Sequence, residues 1–370
     1  MTTRISDLLT ASVRGLQPYV PGKPISELER EYGVRDIIKL ASNENPLGPG
    51  EKARTAMSRA LTEIGLYPDG NGFELKSRLA RHHGVPLELI TLGNGSNDVL
   101  VLLAEAFLAP DTEAIYSQYC FAVYPIAVQA AGAIARVAPA LPAQHSMPLG
   151  HDLDAIARLV GPRTRLVFIA NPNNPTGTWI GEAALKSFLR ALPPSILAVV
   201  DEAYFEYSRD VCPDTTQWLG EFPNLVVTRT FSKAHGLAGL RVGYALSNRE
   251  IADGLNRVRQ PFNVNSVALA AAAAALDDTA HVSRTVALNA RGIAQLRSGL
   301  EALGLKVLPA AGNFVLVDLG RACGPVNEKL LRGAVIARPV GNYGLPNHLR
   351  VTTGTEEQNA RFLGAMRAAL

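Results

Sequence analysis

Cysteine is scarce in this chain: 3 of its 370 residues, Cys120, Cys212 and Cys323. They are too few and too scattered for a disulfide framework or a thiolate metal site, so no metal and a reducing, cytoplasmic setting are expected. An excess of one charge is missing too, with 36 basic against 33 acidic residues and a formal net charge of +3. Without a clustered basic run, neither nucleic acid nor an anionic membrane surface is an expected partner. A few placed arginines would still suffice to hold a small anion. Long apolar runs are lacking as well. The alanine-rich Val267–Leu276 has about half the roughly 20 residues that span a bilayer, and it stops at Asp277-Asp278. A buried helix is the expectation there. The start, Met1-Thr2-Thr3-Arg4-Ile5-Ser6-Asp7, has an acid where a signal peptide needs its apolar centre.

What is present is the balance of a globular protein, 47% apolar and 19% charged, in a chain long enough for one large and one smaller domain. Three prolines interrupt Leu16–Pro24, which predicts an extended arm followed by a short helix around Ser26–Tyr32. Short apolar runs then alternate with helical stretches. Strands are predicted at Ile90–Leu92, Ala114–Tyr116, Leu166–Ala170, Leu197–Val200, Leu225–Arg229 and Val242–Leu246. Several are apolar on both faces, as in a mainly parallel sheet covered on each side by helices. Phe73–His83, Asn97–Phe107 and Leu153–Leu159 are predicted helices. Beyond the alanine-rich segment, a long helix (Thr285–Leu303) and runs at Lys306–Val307, Phe314–Asp318, Val335–Arg338 and Leu349–Thr352 predict a smaller α+β domain. The expected division is 1–40 (arm and part of the small domain), 41–265 (large domain) and 266–370 (small domain), with no internal repeat and no low-complexity linker.

Four segments with chemical potential sit at the ends of predicted strands, where open α/β sheets place ligands. Lys233, in Thr230-Phe231-Ser232-Lys233, follows a strand and precedes Arg241 by eight residues. In a cleft its amine would be partly desolvated and nucleophilic, and Thr230, Ser232 and Arg241 would together suit a phosphate. Alone, the segment is better explained as a surface lysine with capping hydroxyls. Asp201, ahead of Glu202-Ala203-Tyr204, ends an apolar strand, a costly place for a charge unless a cation meets it. It serves equally as a helix cap. Asn171-Pro172-Asn173-Asn174-Pro175-Thr176-Gly177 is turn chemistry throughout. Gly93-Asn94-Gly95-Ser96-Asn97-Asp98 joins a strand to a helix and suits a phosphate at the helix N-terminus, without a Walker lysine or dinucleotide spacing.

Taken in order, the four segments form the series found in fold-type I pyridoxal-phosphate enzymes. The sequence resembles aminotransferases of that class, and in particular the histidinol-phosphate aminotransferase family. Ser42-Asn43-Glu44-Asn45-Pro46-Leu47-Gly48, Tyr67-Pro68-Asp69-Gly70 and Leu349-Arg350-Val351-Thr352-Thr353-Gly354-Thr355 match as well. The likeness runs from about Tyr19 to the C-terminus. It implies a large domain with a mainly parallel seven-stranded sheet flanked by helices, plus a smaller α+β domain.

The resemblance also assigns roles. Lys233 would bond the aldehyde of pyridoxal phosphate and later move the proton from the substrate Cα. Asp201 would pair with the pyridine nitrogen, while Asn174 and Tyr204 would bond the ring's O3′. Gly95, Ser96 and Asn97 match the phosphate turn, completed by Thr230, Ser232 and Arg241. Tyr119 matches the aromatic that stacks on the ring. Tyr67 matches a tyrosine that reaches the cofactor phosphate of a neighbouring subunit, which implies a homodimer. Arg350 and Arg338, with Tyr19 and Asn45, would bind substrate. The implied reaction converts L-histidinol phosphate and 2-oxoglutarate to imidazole-acetol phosphate and glutamate, a step of histidine biosynthesis.

The sequence departs from the family pattern at Gly95-Ser96-Asn97-Asp98, where backbone contacts survive, and more strongly at Ser117–Tyr124, which borders the pocket. That second departure keeps an aromatic amino-acid aminotransferase open, beside a threonine-phosphate decarboxylase of the same fold. A non-catalytic cofactor-binding regulator would carry a DNA-binding domain ahead of the fold, for which the short arm leaves no room.

Overall fold

The computed structural model describes residues 4–370; residues 1–3 of the expected 1–40 arm lie outside the described residues. The apolar runs of the sequence become one seven-stranded sheet. In spatial order its strands are Ile90–Gly93, Gly243–Leu246, Leu225–Thr230, Leu197–Asp201, Thr164–Ala170, Glu113–Ser117 and Ile134–Ala138. Gly243–Leu246 runs antiparallel to both neighbours, and the other pairings are parallel.

The period-2 geometry of a strand explains why these runs are apolar without alternation. Leu166, Phe168 and Ala170 face one helical layer with Leu100, Leu103 and Tyr124. Val167 and Ile169 face the other with Phe188 and Trp218. Ile134–Ala138, not predicted from sequence, is one of the two edge strands. Its central residues Ala135, Arg136 and Val137 are exposed, so it lacks the two-sided apolar signal of its neighbours.

A second, antiparallel sheet has the order Arg338–Val340, Leu345–Thr352, Phe314–Asp318, Lys306–Val307. The long helix Thr279–Glu301 and the C-terminal helix Glu356–Ala369 pack on it through Leu296, Leu300, Phe362 and Met366. The run expected as one strand over Val335–Arg338 is two. Val335–Ile336 pairs in parallel with Ile38–Lys39, and the chain then changes sheets so that Arg338 pairs directly opposite Arg350. The long helix begins at Thr279 rather than Thr285, because the Asp278 carboxylate accepts from the His281 amide at 3.2 Å and caps it. The alanine-rich helix, Ser266–Leu276, packs with Ala53, Leu75 and Leu79 beside the large sheet. No helix of the described residues is long and apolar enough to cross a membrane.

One buried ion cluster ties the central strands together at the end that carries Asp201. The Arg229 guanidinium donates to Glu202 Oε2 at 2.6 and 2.9 Å and to Asp214 Oδ1 at 2.6 Å. It also lies 3.6 Å from the ring centre of Phe205. Glu202 Oε1 accepts from the Thr215 amide and hydroxyl. Both Arg229 and Glu202 are buried, so removing one partner strands a charge in a dry site. Arg229→Met is expected to lower the unfolding free energy by about 3–5 kcal/mol in urea titrations, and adding Glu202→Met to restore most of it. A loss below about 1 kcal/mol, the range of an exposed pair, would refute this reading.

Candidate active site

The parallel strands deliver their C-terminal ends to one cavity, lined by Ser96, Asn97, Asn174, Asp201, Tyr204 and Lys233 among others. Asp201, the last residue of its strand, is 5% exposed and has no cationic partner within ion-pair distance among the described residues. Its two carboxylate oxygens accept from hydroxyls instead: Oδ2 from Tyr124 at 2.9 Å and Oδ1 from Thr228 at 3.1 Å. Burial raises its pKa, opposed by those two bonds and by the charge of Lys233.

Lys233 stands half-buried across the same cavity. Its Nζ donates to the Ser42 carbonyl at 3.3 Å and lies 5.6 Å from the Tyr204 ring centre. Burial first, and then the neighbouring charge of Arg350, lower its pKa to about 8. A lysine so placed is an amine nucleophile near neutral pH. Tyr204 is buried, and its hydroxyl accepts from Asn43 Nδ2 at 2.8 Å. Burial pushes its pKa up to about 12, against the pull of Arg350 and Asn43.

An anion cradle closes one side of the cavity. The helix Ser96–Phe107 starts there, so its free amides and positive end face the cavity. Gly95 has φ +83°, and a Cβ on it would come within 2.5 Å of the Arg241 guanidinium; only glycine lets the turn and that arginine share the space. Arg241 donates to Ser232 Oγ at 3.4 Å, and the Ser232 amide donates to Thr230 Oγ1 at 3.1 Å. Thr230, Ser232, Arg241 and the helix start therefore converge.

The second sheet supplies a different cation pair. Arg350 donates to Asn174 Oδ1 at 2.5 Å and to the Ala41 carbonyl at 2.7 Å, while its Nε is buried without a partner among the described residues. Arg338 donates to the Val20 carbonyl at 2.6 Å and lies 5.9 Å from the Tyr19 ring centre. The two arginines are cross-strand neighbours, both buried, and neither has a carboxylate within ion-pair distance among the described residues. Like charges directly opposite destabilise a sheet, so the arrangement suits an incoming anion.

Two expected roles need correction. Tyr119 does not line the cavity; it packs with Leu308, Leu316, Val340 and Leu345, and Phe121, two residues on, lines it instead. Asn45 does not reach the cavity either. Its amide donates to the Ala234 carbonyl and Thr285 Oγ1, and its Oδ1 accepts from the Leu47 amide. Its neighbour Asn43 is the residue that touches Tyr204. Tyr67 lies outside this chain's own cavity, 83% exposed and stacked on Phe262 at 4.9 Å. Sequence reasoning missed Phe121, Tyr124 and Asn43. Tyr124 and Asn43 are identified only by the buried groups they bond, a signal that appears once the fold brings them together.

The donor set fits pyridoxal phosphate. A buried carboxylate without a cation stands at one pole, an amine of depressed pKa across from it, and a phosphate cradle that a Cβ at Gly95 would fill lies at the side. Among the described residues no group of His, Cys, Asp or Glu side chains is arranged to hold a metal ion.

Comparison with known proteins gives the same picture. The family model for aminotransferase class I and II matches residues 35–366. Histidinol-phosphate aminotransferase 2 of Methylococcus capsulatus is 58% identical over 98% of both chains. Histidinol-phosphate aminotransferase 2 of Pseudomonas aeruginosa is 55% identical, again over 98% of both. The crystal structure of histidinol-phosphate aminotransferase from Sinorhizobium meliloti in complex with pyridoxal-5′-phosphate superposes with a TM-score of 0.89. It is 29% identical, with 98% of this chain and 97% of that one covered.

The depressed pKa of Lys233 has a measurable sign. Only the neutral amine attacks an aldehyde, so trapping of an added aldehyde on Lys233 by borohydride is expected to slow about tenfold per pH unit below 8 and to level off above it. A rate still climbing near pH 10 would mean a lysine of ordinary pKa.

Proposed function

This chain belongs to the class I and II aminotransferase family, and on that premise we propose that it moves the amino group between L-histidinol phosphate and 2-oxoglutarate. It is a pyridoxal-phosphate-dependent aminotransferase. The observation that carries the choice of substrate is the buried, uncompensated pair Arg338 and Arg350. A single arginine fork suffices for a carboxylate, whereas two opposed guanidiniums match the dianion of a phosphate ester.

When bound, the cofactor supplies an electron-withdrawing ring that takes up the electrons released as the substrate's Cα–H bond breaks. Asp201 meets the ring nitrogen and keeps a proton there. Asn174 and Tyr204 hold the ring's phenolic oxygen, and Phe121 covers its face. The helix start at Ser96 and Asn97, with Thr230, Ser232 and Arg241, anchors the cofactor phosphate. Lys233 would hold the cofactor through its Nζ and, as a neutral amine, would be the base placed to take the proton from the substrate Cα. Arg338 and Arg350 fix the far end of the substrate, and Tyr19, on the arm beside Arg338, covers that end from solvent. Arg350 then holds a carboxylate of the oxo acid in the second half of the cycle. The three cysteines are free and buried, in keeping with a cytoplasmic protein.

The working unit in this reading is a homodimer. Leu61, Ile64, Leu66, Tyr67, Phe73 and Phe262 are exposed apolar side chains on segments near one another, and burying them against a second copy would carry Tyr67 to the cofactor phosphate of that copy.

Three experiments test this. Lys233→Ala should abolish both the visible absorbance of bound cofactor and turnover. In half-reactions, Arg338→Ala should lower kcat/KM for L-histidinol phosphate at least about tenfold more than for L-phenylalanine, the difference expected from one charge-assisted contact. Equal losses would contradict the phosphate assignment. Mixing inactive Tyr67→Ala and Lys233→Ala subunits should restore about a quarter of wild-type activity, because half the random dimers are mixed and each has one intact site. No recovery on proven subunit exchange would place Tyr67 outside the site.

A further inference from the structure

The hydroxyl of Tyr124 is sealed in the core and spends its one hydrogen on Asp201. Tyr124 lies in the helix Val123–Ala130 and is 0% exposed. Its Oη donates to Asp201 Oδ2 at 2.9 Å, its only side-chain hydrogen bond among the described residues. The ring is stacked on Phe168, with centroids 4.8 Å apart and planes 12° apart. It meets Phe121 edge-on at 6.0 Å and 88°. Two aromatic contacts thus fix the direction in which the hydroxyl points, and one of them is the residue that covers the cavity. The other oxygen of Asp201 accepts from the Thr228 hydroxyl, at 3.1 Å.

We propose that Tyr124 is a positioning residue that sets how the proton is divided between Asp201 and the cofactor's ring nitrogen. This rests on the pyridoxal-phosphate reading above. The hydrogen bond stabilises Asp201 as the carboxylate over the carboxylic acid. A less basic carboxylate leaves the shared proton on the ring nitrogen, where the positive charge draws electrons from the reacting carbon. Burial and the Asp201 charge raise the Tyr124 pKa well above the ordinary phenol value, so the hydroxyl remains a donor throughout the working pH range. Tyr124→Phe keeps the ring and both aromatic contacts and removes only the O–H.

The consequence is spectroscopic. A positive ring nitrogen repels the proton on the nitrogen that joins Lys233 to the cofactor, and so lowers the pH at which that proton leaves. Without the Tyr124 donor, Asp201 becomes more basic, the ring loses positive charge, and that midpoint rises. In a pH titration of the visible absorbance of purified holoenzyme, Tyr124→Phe should move the midpoint up by about one unit. The expected fall in kcat is about tenfold, with KM for the amine substrate little changed. Thr228→Val, which removes the weaker donor, should move the midpoint the same way by less.

An unmoved or lowered midpoint in Tyr124→Phe overturns the proposal. If that variant fails to retain cofactor, an unmoved midpoint in Thr228→Val overturns it. A wild-type protein that develops no absorbance with added cofactor would instead sink the functional reading, and this inference with it.

Discussion

The constraint on which the rest of this structure depends is that its central charges are wholly or half withdrawn from solvent without counter-charges of their own. Asp201, Lys233, Arg338 and Arg350 are gathered where the two sheets meet. None has an opposite charge within ion-pair distance in the described chain, and hydroxyls, amides and carbonyls hold them instead. Such groups are costly in a dry interior. The cost is met elsewhere in the fold, in the continuous apolar faces of the seven-stranded sheet and in the fully paired Arg229–Glu202–Asp214 cluster directly behind the site. A cofactor with a cationic ring nitrogen and an aldehyde supplies partners to Asp201 and Lys233, and an anionic substrate supplies one to Arg338 and Arg350.

That view explains why the two sheets are joined as they are. Asp201 and Lys233 come from strand ends of the large sheet, Arg350 from the middle of a strand of the smaller one. Arg338 reaches its place only because the chain leaves the Ile38–Lys39 pairing and changes sheets one residue earlier. The N-terminal stretch contributes through backbone, with the Val20 carbonyl of the arm accepting from Arg338 and the Ala41 carbonyl just beyond it accepting from Arg350. The anion site is therefore assembled from three separate stretches of chain, and its geometry is sensitive to how the smaller sheet sits against the larger.

Much of this was legible in the sequence, for physical reasons. Buried parallel strands are apolar on both faces, so Leu166–Ala170, Leu197–Val200 and Leu225–Arg229 stand out, whereas Asp201 and Lys233, each ambiguous alone, take their meaning from the order of the segments that follow those strands. The edge strand Ile134–Ala138 was invisible because Ala135, Arg136 and Val137 are all exposed and leave a short run with no two-sided apolar signal. The division of Val335–Arg338 depends on a partner some 300 residues away in sequence, which no local pattern encodes. Tyr119 and Phe121 are both aromatics of the right size on one turn, and only the packing of Tyr119 among Leu308, Leu316 and Val340 separates them. Asn43 and Asn45 share a motif, and the difference between them lies in which buried group each meets.

The central claim is that Lys233 is the residue that bonds the cofactor, and peptide mapping tests it most directly. Protein loaded with pyridoxal phosphate and reduced with borohydride should, on digestion and mass spectrometry, show the cofactor mass on the peptide containing Lys233 and on no other at stoichiometric yield. Stoichiometric label on a different lysine would contradict the account. Lys76 is the pointed comparison, since it is buried and, like Lys233, has a lowered pKa, but lies outside the cavity.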